Sequence, residues 1–212
     1  MVICISGIDG SGKTSIIDGV RQELDNDGWN TQYVWLRYNH YLTKILLVFC
    51  RLIGLTRYEY PNGVRVGYHD FYRSRLVSVL FIAFTYIDTL LVSTLLVYLP
   101  SLFTTRALVC DRWVLDIMID LEIDTRINFP AGGRLERLFL GLLPANAQCY
   151  LIQREQEEVL QCRPENLHDR NFPQRWELYA KYAERTWVTV VDNNSTIDKS
   201  VWKIVRQVKG SR

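Results

Sequence analysis

Residues Gly7-Ile8-Asp9-Gly10-Ser11-Gly12-Lys13-Thr14 set three glycines, a lysine and a threonine at the spacing G-x-x-x-x-G-K-[ST]. Each fixed position has a physical reason. The glycines reach backbone angles closed to other residues, so successive N–H groups can converge on phosphate oxygens. The helix that follows adds its positive N-terminus to the same anion. Lys13 reaches the β- and γ-phosphates, and the Thr14 hydroxyl ligates Mg²⁺. The cradle is therefore assigned to Gly7, Ile8, Asp9, Gly10, Ser11, Gly12, Lys13, Thr14 and Ser15, with ATP and Mg²⁺ as its ligands.

A second chemical signal lies about a hundred residues on. Ala107-Leu108-Val109-Cys110-Asp111 is an apolar run with a carboxylate at its carboxyl end, followed by Arg112. Ligands of open α/β sheets sit at strand carboxyl ends. Asp111 is placed there to hold the Mg²⁺, and Arg112 to offer its guanidinium fork to a transferring phosphate. Asp116 falls one turn into the next helix, where it can orient Arg112. The three histidines, His40, His69 and His168, are unclustered, and none has metal-ligand spacing.

These residues need a scaffold, and the sequence describes one. Val2 to Ser6 reads as a strand, and Thr14 to Leu24 carries apolar residues at helical spacing. Thr31 to Arg37 is a second strand, and a long helical section follows, broken by the turn Tyr60-Pro61-Asn62-Gly63. Further strands are predicted at Arg106 to Asp111, Gln148 to Gln153 and Trp187 to Val191. Helices are predicted at Arg134 to Leu142, Glu155 to Arg163, Gln174 to Thr186 and Thr196 to Lys209, with a polar mobile stretch from Pro164 to Pro173. Alternating strands and helices give an α/β fold: a P-loop three-layer α/β/α arrangement whose parallel five-stranded sheet has helices on both faces. Trp35, Trp113, Trp176 and Trp187 are read as packing residues.

Bulk properties bound the function. The 212 residues make one domain of 1–212, large enough for a core without disulfides or structural metals. A formal charge of +2 excludes a dedicated nucleic-acid binder but suits a local phosphate site. Five scattered cysteines without a CxxC pair, and no secretory signal, imply reduced thiols and a cytoplasmic location. Leu76 to Thr105 holds Asp88 as its only charge. Its two charge-free runs are each shorter than a membrane span wants, so buried helices are expected. Peripheral membrane contact is the alternative. The basic and aromatic group Arg65, His69, Tyr72, Arg73 and Arg75 reads as a solvated helix face, with acceptor-phosphate or lipid-headgroup contact second.

The loop beginning at Gly7, taken with Asp111-Arg112-Trp113, resembles the thymidylate kinase family. Glu157-Glu158-Val159-Leu160 leading to Arg163 resembles that family's entry to its lid, here about residues 162–175. The resemblance implies phosphoryl transfer from ATP, with Mg²⁺, to a nucleoside monophosphate. It implies catalytic roles for Lys13, Asp111 and Arg112 and for lid arginines drawn from Arg163, Arg170 or Arg175. On the acceptor it places Asp9 against the sugar hydroxyl, and Arg37 and Arg112 on the phosphate. Tyr86 is a further candidate for acceptor contact, as is Asp88. Two departures bear on the base. Arg37-Tyr38-Asn39 stands where the family has Arg-Glu-Pro, and the helix Phe84-Thr85-Tyr86-Ile87-Asp88-Thr89-Leu90-Leu91 lacks the family's arginine and glutamine. Kinase chemistry is thus implied without thymine recognition. A nucleotide-binding regulatory or membrane-associated protein, or a kinase of a non-nucleotide acceptor, is the alternative. Oligomeric state, including a homodimer, is left open.

Overall fold

The computed structural model describes residues 1–37, 41–60, 66–103 and 106–210. Tyr38, Asn39, His40, Arg65 and the Pro61-Asn62-Gly63 turn lie outside them.

The central strand β1 (Val2–Gly7) is buried along its whole length. Its side chains alternate between two cores: Val2 and Cys4 face one, Ile3 and Ile5 the other. A strand that is apolar on both faces needs cover on both. One cover is the pair α1 (Lys13–Asn26) and α9 (Ile197–Gly210), which present Ile16, Ile17 and Val20 against Val201, Ile204 and Val208. The other includes α3 (Arg75–Ser93), α5 (Val114–Thr125) and α8 (Phe172–Ala183).

Strands β2 (Thr31–Trp35), β5 (Ala107–Asp111), β6 (Ala147–Gln153) and β7 (Val188–Asp192) complete the sheet. Their order is β2-β5-β1-β6-β7, and every pairing is parallel. The register pairs Ile5 with Asp111 and Trp35 with Asp111, so the ends of three strands meet beside the glycine loop. This is the expected three-layer P-loop NTPase-type fold.

The section after β2 departs from expectation. It is not one broken helical stretch but α2 (Leu42–Leu52), then an antiparallel pair, β3 (Thr56–Glu59) and β4 (Val66–His69), then α3. The basic group near it is not one helix face. His69 ends β4, Tyr72 and Arg73 lie in a short 3₁₀ turn, and Arg75 opens α3. Trp35 is 46% exposed, and Cys162 is exposed.

Helix α3 continues through a π-helical turn (Thr94–Tyr98) into α4 (Leu99–Phe103). Residues Arg75–Phe103 are long and apolar enough to cross a membrane, but half of the most apolar window is buried inside the fold. Asp88 stays charged in this surrounding because it caps another helix. Its carboxylate accepts the backbone N–H groups of Tyr41, Leu42 and Thr43, at 2.9–3.0 Å, at the start of α2. The outward side is bare: Leu76, Val79, Ile87, Leu91, Leu95 and Leu102 form an exposed stripe at helical spacing, beside Ile45, Val48 and Leu52 of α2.

The remaining helices are α6 (Arg134–Leu140) and α7 (Gln156–Cys162). The 162–175 stretch is partly ordered by a 3₁₀ turn (Pro164–His168), and α8 begins at Phe172.

Candidate active site

Strand β1 delivers the chain to the loop, and α1 takes it away at Lys13. Gly10 has φ 99° and Gly12 φ 88°, both in the left-handed region. Space is as restrictive as angle: a Cβ on Gly12 would stand 2.5 Å from Asn193 Nδ2, and one on Gly10 2.9 Å from the Val159 carbonyl. Asn193 earns its position by donating to the Ser11 carbonyl at 2.8 Å, and Asn166 donates to the Asp9 carbonyl at 3.1 Å. Both brace the loop from outside, and neither was among the residues expected from the sequence.

The Lys13 ammonium is buried and donates to the Ile8 carbonyl at 2.7 Å, with Asp9 Oδ1 3.8 Å away. Burial, and then the nearby Arg112, hold it down at about 7. Thr14 and Ser15 are exposed at the mouth. Asp111 Oδ2 accepts from the Tyr33 hydroxyl at 2.9 Å, while Asp111 Oδ1 is buried with no hydrogen-bond partner. Asp111, Arg112, Lys13, Thr14, Ser15 and Arg163 line one cavity of about 470 Å³ over the loop. A lysine, an unsatisfied carboxylate oxygen and an exposed threonine on one cavity wall, at the start of a helix, fit a Mg²⁺-bound polyphosphate.

Arg112 stands at the centre of the site. Its φ of 56° is in the left-handed region, an uncommon backbone state for arginine that the strand–helix junction imposes. The guanidinium is buried and bonds Asp9 through Nη2 and Asp116 through Nη1, the latter at 3.3 Å. Asp116 is held in turn by the Tyr179 hydroxyl at 2.6 Å. Burial would raise the Asp9 carboxyl, but Arg112, Lys13 and Arg37 outweigh it and keep it below the ordinary range.

Arg37 lies just past β2, with Nη1 3.8 Å from Asp9 Oδ2. Its Nε and Nη2 form a bidentate pair with Asp120 at 3.0 Å each. Arg175 of α8 donates to the same carboxylate at 2.5 Å. Arg37, Asp120 and Arg175 open a second cavity of about 350 Å³, walled by Phe81, Leu47 and Leu121 and closed by Tyr58, Gly67 and His69 of the hairpin. Asp9, Arg37 and Arg112 therefore stand between two cavities, one over the loop and one beneath the hairpin.

The three arginines expected of a lid go to three places. Arg163 lies over the phosphate loop and pairs with Glu165 at 3.2 Å. Arg170 donates to Asp70 at 2.7 Å and covers the Tyr68 ring. Arg175 belongs to the second cavity. Tyr86 packs edge-on against Phe139, 5.5 Å between ring centres, and does not line either cavity. Asp88 is turned to the α2 N-terminus instead. The charged wall residues that sequence reasoning missed are Asp120, Asp124 and Arg154; the signal for the first two was the four-residue repeat Asp116, Asp120, Asp124.

The sheet order and the glycine loop define a P-loop NTPase-type fold. Among solved structures the chain is similar to the thymidylate kinase from Ehrlichia chaffeensis, with a TM-score of 0.53 over 98% of each chain and 15% identity. No protein-family model matches the sequence, and no curated protein does either.

Proposed function

We propose that this protein is an ATP- and Mg²⁺-dependent phosphotransferase acting on a nucleoside monophosphate or a closely similar phosphorylated acceptor. The observation that carries the reading is the placement of Asp9, Arg37 and Arg112 between a cavity over the phosphate loop and a second cavity of nucleoside size. The thymidylate kinase likeness over nearly the whole chain supports the scaffold it needs.

Bound MgATP supplies the phosphoryl group and the charge that screens it. The chain's own contribution is positioning and electrostatics, which is most of what such transfers require. The loop N–H groups and Lys13 hold the donor, and Thr14 with Asp111 holds the ion. Arg37 and Arg112 hold the acceptor's phosphate in line, with Arg163 over the loop to meet spreading charge. Asp9 keeps the two arginines in place and is itself available to an acceptor hydroxyl.

ADP release from MgATP, measured with each common nucleoside monophosphate beside Lys13→Ala, tests the reading. The expected result is turnover with at least one acceptor and a drop of more than a hundredfold in the variant. No stimulation by any phosphorylated acceptor would falsify it.

The exposed apolar stripe of α2 and α3–α4 favours a second reading, a nucleotide-binding protein that works at a membrane surface. Flotation with liposomes supports it. Sedimentation as a dimer with no liposome binding assigns the stripe to a second copy instead.

A further inference from the structure

Helix α5 follows Arg112 and leads away from the phosphate loop, and Asp116, Asp120 and Asp124 recur every four residues along one side of it. The first two acids have partners. Asp116 serves Arg112 and Tyr179, and Asp120 serves Arg37 and Arg175. Asp124, one turn farther from the loop, lines the second cavity and makes no hydrogen bond or ion pair with the described residues. Burial, and then Asp120, push its carboxyl well above the ordinary range. Thr85, on the same cavity wall, is 5% exposed, and its hydroxyl is buried with no partner. The cavity is thus cationic at Arg37 and Arg175 and apolar along Phe81, Leu47 and Leu121, and it carries two polar side chains without hydrogen-bond partners among the described residues, Asp124 and Thr85.

A ligand that fits this polarity carries a phosphate at one end and donors at the other. A carboxylate oxygen pair is best met by two adjacent donors, because each charge-assisted bond favours the ionised form that burial opposes. A pocket built to accept hydrogen bonds also rejects a ligand that cannot make them, since its polar groups then stay unpaired.

We propose that Asp124 determines acceptor specificity: the second cavity takes a phosphorylated acceptor whose far end presents two adjacent hydrogen-bond donors to Asp124. This rests on the phosphotransferase reading, in taking that cavity as the acceptor's. Two sources supply the chemistry: the N1–H and N2 amino edge of guanine, and a vicinal diol of a sugar. Thymine offers one N–H between two carbonyls and lacks the pair.

Equilibrium binding by titration calorimetry tests this with GMP, dGMP, CMP, dTMP and a hexose 6-phosphate. Wild-type protein is compared with Asp124→Asn and Asp124→Leu, each checked for a cooperative melt. The donor-pair ligand is expected to bind at least tenfold more tightly than dTMP. Asp124→Asn, which puts an amide N–H where an acceptor stood, removes that advantage while dTMP affinity changes less than twofold. Equal gains for GMP and dGMP assign the guanine edge; a gain for the hexose phosphate alone assigns the diol. Tightest binding of dTMP, no binding by any of the five, or one common loss across all ligands in Asp124→Asn overturns the proposal. Selective binding without ADP release would sink the kinase reading and leave this one standing. Turnover of dTMP unaffected by Asp124→Asn does the reverse.

Discussion

Burial and the neighbouring Arg112 hold the Lys13 ammonium at about 7, in the cradle proposed for the donor's phosphates. Oxygen charge brought into the cradle favours the protonated amine and opposes both effects. Binding of ATP is therefore expected to take up a proton at pH 8, where the free amine is mostly neutral. At pH 6 the amine is already charged, and uptake falls towards zero. Calorimetry in two buffers of different ionisation enthalpy reads the proton count directly, and equal heats in both buffers at pH 8 would refute the expectation. Lys13 was legible from sequence because every fixed position of its loop answers to backbone geometry or charge. Asp120 and Asp124 were not. Acids at four-residue spacing on a helix resemble a solvated face; Asp120 differs because Arg37 from after β2 and Arg175 from α8 converge on it, and Asp124 because it lines the cavity they open, a convergence that local sequence does not encode.

At the scale of elements, the strands and helices that carry the phosphate loop followed from periodicity, because each is long and apolar on a definite side. The β3–β4 hairpin did not. Its strands are four residues each and lie between strongly apolar helices, so the turn at Tyr60 read as a break in a helix. The hairpin matters to the site because Tyr58, Gly67 and His69 close the second cavity. Asp88 shows the same limit from the other side: its charge in an apolar helix is explained only by α2, whose first N–H groups it satisfies. Removing it leaves three donors at a helix start without their acceptor, the Thr43 N–H buried and the other two partly so. Asp88→Ala is expected to lower unfolding free energy by about 3 kcal/mol, within the range for hydrogen bonds to a charged group. Asp88→Asn, which keeps one acceptor oxygen, is expected to lose less. Urea unfolding of the two variants checks this, and a loss under about 1 kcal/mol for Asp88→Ala would remove the capping role.

For the whole molecule, the paired carboxylates sit where separate elements are tied together. Asp9 joins the phosphate loop to Arg112 and Arg37, Asp120 joins α5 to the end of β2 and to α8, and Asp88 joins α3 to α2. Each is held below its unfolded value of 3.8 against the opposing effect of burial: Asp9 by Arg112, Lys13 and Arg37, Asp120 by Arg37 and Arg175, and Asp88 chiefly by backbone N–H groups. A carboxylate depressed in the folded state adds stability above its unfolded pKa and loses it as pH falls through the folded one. Asp124 has the opposite sign. Burial and Asp120 raise it, so its charged form weakens the fold above its folded pKa, and protonation relieves this as pH falls towards 3.8. Lys13 does not disturb this range, since below about pH 6 it is protonated both folded and unfolded. The melting temperature is thus expected to rise as pH is lowered from 6, then to fall steeply below about pH 4. Asp124→Asn should flatten the rise and keep the fall, because it removes one titrating group and leaves the three ties intact. A wild-type melting temperature that declines steadily from pH 6 would mean that Asp124 is ionised in the folded protein, with a cation or donor beside it.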